Sequence, residues 1–155
     1  MYRTITTLLL ALAAVGCGPS FELSTPPQFV EIESEWSSYD YRATSANGVV
    51  IAVRVIEHDP HGDITFWLQA IKNRMRDRGG YALLDEAPIK SADGVEGVRL
   101  RFGHDEEGGA PHLYHLSLFV TPSTIYVLEA GGTKELMSTH ATDIEAAEKS
   151  FRTDA

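Results

Sequence analysis

The side chains with the widest chemical reach in this sequence are histidines, and they gather with acids in two places. His58-Asp59-Pro60-His61-Gly62-Asp63 holds two imidazoles and two carboxylates within six residues. Zinc and similar ions accept such nitrogen and oxygen donors, so a metal site of His58, His61 and Asp63 is one expectation. The same string suits a strand-to-helix connection: Pro60 and Gly62 turn the chain, and Asp63 caps the helix that follows. The pattern favours the connection.

Gly103-His104-Asp105-Glu106-Glu107-Gly108-Gly109 is the second cluster, with His112 and His115 beyond it. Its acids could take a hard cation, but their spacing is not that of a calcium loop, and a solvated hairpin loop is expected. If His112 and His115 lie on a strand, their separation puts them on opposite faces, and they cannot line one site without a bulge. His140 falls on the apolar stripe of a predicted helix and reads as a packed or border residue.

Lys72, Arg74, Arg76 and Arg78 concentrate positive charge at one helix end of a chain whose formal net charge is −9. Such a reversal could dock an acidic partner or an anion. Cations also favour a helix C-terminus and can simply cover a wet face. The sequence holds no nucleophile elbow, phosphate loop, metalloprotease pair or redox cysteine pair. A protein with no enzymatic activity and no cofactor is expected.

The one cysteine, Cys17, ends the stretch LLLALAAVGC. The apolar run Ile5–Val15 follows Arg3, is shorter than the roughly 20 residues a membrane-spanning helix needs, and ends in small residues, as a secretory signal does. Ala14-Val15-Gly16-Cys17 resembles the lipobox of bacterial lipoproteins. The resemblance implies removal of residues 1–16 and acylation of Cys17 as the first mature residue; the alternative is an ordinary cleavage site beside a free or buried cysteine. Each buried methylene of a lipid chain contributes about 0.8 kcal/mol, so two or three chains anchor a protein to the bilayer. Residues 17–20 would form a short lipidated tether, with 21–155 a single domain riding close to the membrane. Gly18 is not the aspartate that retains enterobacterial lipoproteins in the inner membrane, so the resemblance implies the outer membrane, facing the periplasm.

With 155 residues, 43% of them hydrophobic and 23% charged, the chain has the composition of one globular domain. Its acidity argues against nucleic acid and anionic headgroups as partners. Lacking a cysteine pair, the fold must be held by packing alone.

The elements read in order. Residues 21–35, with Pro26-Pro27, form an irregular lead-in with a short strand at most. Ser38–Ala43 and Val49–Glu57 flank Asn47-Gly48, a two-residue turn signal, and predict a hairpin. Trp67, Leu68, Ile71 and Met75 recur at helical spacing between the cap candidate Asp63 and Gly79-Gly80. Tyr81–Leu84 reads as a short strand, and Val98, Leu100 and Phe102 alternate with arginines. His112–Val120 and Ile125–Ala130 complete an antiparallel meander. Thr133 would cap one final helix carrying Leu136, His140, Ile144, Ala147 and Phe151 on one stripe. Grouped strands favour an α+β class, a central antiparallel sheet flanked by helices.

FELSTPP, GVVIAVRV, GGYALLDEAPIKSADGVEGVRLRF, TIYVLEA and IEAAEKSF, in this order, resemble the PsbP-like superfamily, which includes the photosystem II extrinsic subunit, the Ran-binding protein Mog and small bacterial lipoproteins. The resemblance spans Phe21 to Phe151. It implies an α/β/α sandwich and a role in binding or assembling other proteins, with no shared enzymatic activity and no site residues to carry over. The functional expectation is an anchored accessory lipoprotein that binds another envelope protein; the alternative is a periplasmic metal or small-ligand binder using the histidine–acid loops.

Overall fold

Apolar side chains repeating at every second residue build most of this structure, a computed structural model describing residues 20–33, 38–105 and 108–153. Cys17, Trp36, Glu106 and Glu107 lie outside the described residues. In chain order the elements are β1 (Phe21–Glu22), β2 (Phe29–Glu31), β3 (Tyr41–Ser45), β4 (Val50–Glu57), α1 (Ile64–Gly79), β5 (Ala82–Lys90), β6 (Glu96–His104), β7 (His112–Val120), β8 (Thr124–Thr133), α2 (Lys134–Thr139), α3 (Ala141–Ser150) and β9 (Arg152–Thr153). Seven strands form an antiparallel sheet in the order β2-β3-β4-β8-β7-β6-β5, while β1 and β9 make a separate two-stranded ribbon.

Helices cover both faces, as the sandwich expectation requires. On one face Ile51, Val53, Phe119, Tyr126 and Leu128 pack with Met137, Ile144, Ala147 and Phe151 beneath α2 and α3. On the other, Leu100, Phe102, Leu116, Leu118, Ile125 and Val127 meet Leu68, Trp67, Ile71 and Met75 of α1. β8, in mid-sheet, is buried on both sides, which is why Ile125–Leu128 reads as a continuous apolar run. Each such buried side chain contributes about 1.5–3 kcal/mol. Among the described residues no helix is long and apolar enough to cross a membrane.

Four local expectations need correction. The first hairpin turns through three residues, Ala46-Asn47-Gly48: Ser45 N–H bonds Val49 O, Gly48 N–H bonds Ser45 O, and Gly48 takes φ +101°. This is a turn closed by a left-handed residue, for which glycine is suited. The lead-in carries two short strands, β1 and β2. β5 runs nine residues, through Pro88, because an edge strand loses no ladder bond to a proline facing outward. The final helix is two helices, since His140 leaves helical geometry (φ −95°, ψ 16°) at the end of α2 and starts α3.

Candidate functional site

The histidine–acid string before α1 is a structural joint. His58 is buried; its Nδ1–H donates to Thr121 O at 2.7 Å, while Nε2 accepts from Gly62 N–H at 3.0 Å and Trp67 Nε1–H at 3.2 Å. That donor pattern puts the ring proton on Nδ1. His61 meets the His58 ring edge-on at 4.9 Å, and Asp63 caps α1 through Phe66 N–H at 2.7 Å. Among the described residues no three His, Cys, Asp or Glu side chains are grouped to hold a metal ion.

The four cations of α1 do not form one patch. Residues four apart share a helix face, so Lys72 and Arg76 turn toward the β5 side, where Lys72 pairs with Glu86 at 2.9 Å. Arg76 bonds Asp77 and Asn73 on its own helix. Arg74 turns the other way, toward β4 and β8; Arg78, one turn on, is exposed. His112 and His115 pair with Thr133 and Ala130 in an unbroken register and so occupy opposite faces.

Alongside α1 lies a groove of about 300 Å³ that the sequence did not reveal. Its floor is Leu116, Leu118, Ile125 and Val127, its helical bank Trp67, Ile71, Arg74 and Met75, and it closes on Arg54, Glu129 and Tyr114. Glu129 is only 6% exposed, yet it is charged-paired: Arg54 Nη2 lies 3.1 Å from its Oε2. The same Nη2 donates to Tyr39 Oη at 3.0 Å, and the guanidinium stands 4.5 Å over the Tyr39 ring. Burial works to lower the Arg54 pKa, but Glu129 and Tyr39 outweigh it and raise it. Burial, reinforced by the charge of Glu129 and a hydrogen bond to it, pushes the Tyr114 hydroxyl well above its ordinary pKa. Arg54 Nε is buried with no acceptor. The available signal was a charge inside each of two apolar strand runs, VVIAVRVI and IYVLEA.

A second polar cluster pins α3 to the sheet. Glu148 takes Arg99 Nη1 at 2.8 Å and accepts a hydrogen bond from the buried Ser117 hydroxyl. His115, on the same face, has its pKa lowered by burial and then by Arg101 and Arg99, with Glu148 opposing. The groove therefore suits binding of an apolar body, and the α3 cluster suits architecture.

Three solved structures share this architecture. LpqN of Mycobacterium tuberculosis, involved in cell envelope biogenesis, superposes at TM-score 0.71 with 14% identity over 87% of this chain and 85% of its own. The Ran-binding protein Mog1p of Saccharomyces cerevisiae gives TM-score 0.61 at 10% identity, covering 87% and 90%. Cyanobacterial PsbP from Synechocystis sp. PCC 6803 gives 0.58 at 12%, covering 94% and 98%. No protein-family model and no curated protein sequence matches the chain. At these identities the likeness establishes the fold, an α+β domain of the PsbP/Mog1 type.

Proposed function

On a domain of the PsbP/Mog1 fold, we propose a lipid-anchored envelope protein that acts without catalysis, binding another envelope protein through the groove beside α1. The observation that carries this reading is the groove itself: an apolar floor open along α1, ended by the ion pair of the half-buried Arg54 with the buried Glu129. The lipobox-like Ala14-Val15-Gly16-Cys17 supports the anchor, with residues 1–16 as signal and 17–20 as tether to β1. The envelope-biogenesis role of LpqN and the Ran binding of Mog1p are consistent with a binding module on this fold.

Cys17→Ser tests the anchor: it abolishes labelling by a clickable fatty acid and moves the protein out of the membrane fraction. A variant that stays labelled and membrane-bound refutes it. Crosslinking in intact cells tests the binding role, with one recurrent protein partner expected from photo-crosslinkers at Ile56 and Ala70; no recurrent partner across growth conditions refutes that half.

A further inference from the structure

The ion pairs of this acidic protein leave an uneven remainder. Among the described residues they take in every lysine and arginine except Arg42, Arg74, Arg78 and Lys134. Three of those four border one stretch of surface. Arg74 lines the groove on α1, and Arg78 follows it by one turn. Arg42 stands on the opposite bank: it pairs with Ala52, whose other cross-strand neighbour is the groove residue Glu129, so all three share the α1 face of the sheet.

That face is also incompletely covered. α1 packs over the β5–β7 part of the sheet, only its side chains reaching Ile125 and Val127 of β8, and on the β2–β4 side Val30 and Ile56 are 70% and 45% exposed. Strands lie about 4.8 Å apart, so β3, β4 and β8 together span about 10 Å, the width of one α-helix with its side chains. On the opposite face two helices, α2 and α3, share the work that α1 does alone here.

We propose that the groove receives one amphipathic helix of a partner protein, laid beside α1, apolar toward Ile56 and Val127 and acidic along both flanks, where its carboxylates meet Arg74 and Arg78 on one side and Arg42 on the other. This inference rests on the protein-binding reading and names the chemistry of the partner segment. Apolar anchors fix a docked helix, and flanking charge of the right sign selects it.

The test uses the full chain in phosphatidylcholine nanodiscs and fluorescein-labelled helix-forming peptides with leucines at i, i+3, i+4 and i+7. One peptide carries glutamates on both flanks and another lysines at the same places. Anisotropy titration is expected to give at least about tenfold tighter binding of the glutamate peptide, a reversed preference for Arg42→Glu/Arg74→Glu/Arg78→Glu, and unchanged binding for Lys134→Glu. Ile56→Asp weakens both peptides. Equal affinity for the two peptides, or a preference that the triple variant leaves intact, overturns the inference. So does self-association that Ile56→Asp abolishes, which assigns the groove to a second copy, or equal displacement of both peptides by decylphosphocholine with no charge preference, which assigns it to an alkyl chain. If the in-cell partner is captured as strongly by the triple arginine variant, the binding role stands and this inference alone fails.

Discussion

Arg54 and Glu129 are not opposite one another across β4 and β8: Arg54 pairs with Val127, Glu129 with Ala52, and the ion pair closes diagonally at 3.1 Å. Removing only the cation leaves a buried carboxylate with Tyr114 as its remaining partner. Arg54→Met should therefore cost about 1–3 kcal/mol, read from urea unfolding. Arg54→Met/Glu129→Leu should recover most of that loss, because the costly state is the buried carboxylate without its cation, and replacing both partners with apolar groups removes it.

His58 joins three segments through one ring, reaching Thr121, Gly62 and Trp67. His58→Ala leaves those groups to find water or stay unpaired, with an expected loss of about 3 kcal/mol. Amide exchange should quicken first across residues 58–67. Adding zinc should not restore wild-type stability.

Asp93 clasps the last strand: its Oδ1 accepts Thr153 N–H at 3.0 Å and its Oδ2 accepts Thr153 Oγ1–H at 2.7 Å. Burial opposes ionisation, but hydrogen bonds from Thr153 and Ser91 hold the carboxyl down to about 2. A depressed acid stabilises the fold above its unfolded value, 3.8, and that contribution is lost as pH falls toward 2. Wild type should melt a few degrees above Asp93→Asn at pH 5, and the two curves should converge by about pH 2. A gap that persists at the acid end would count against the clasp.

His115 loses its contribution in the same direction, at higher pH and through its uncharged form. Burial, then Arg101 and Arg99, favour its uncharged form, so its contribution is intact above the ordinary value of 6.5 and shrinks as pH falls below it. Its ring proton resonances should titrate below 6.5, and Arg101→Gln should move the midpoint upward. An unchanged midpoint in that variant would show that Arg101 does not reach the ring.

β4 and α1 were legible because each is a regular period with its own punctuation: β-branched residues after Gly48, and a capped helix between Asp63 and Gly80. β5 was legible only in its first residues, since an edge strand with exposed Leu83 and Leu84 and an internal proline lacks the apolar alternation of a covered one. The break at His140 was hidden because α2 and α3 press on the same core, so their apolar stripe continues across it. The groove was hidden for a different reason. Arg54 and Glu129 are 75 residues apart, and only the pairing of β4 with β8 brings them together.

The β1–β9 ribbon joins Phe21 to Thr153 beside Asp93, next to the start of β6, whereas the far end of β6 meets α1's cap where His104 reaches Gly80 O. The nine residues of β6 span about 30 Å at 3.3–3.4 Å each. The molecule thus has two ends, one at the ribbon beside the first described residue and one at the cationic end of α1. Under the proposed anchor at Cys17, Arg78 would face away from the membrane-bound end, so a partner reaching the cationic end of α1 need not itself touch the bilayer.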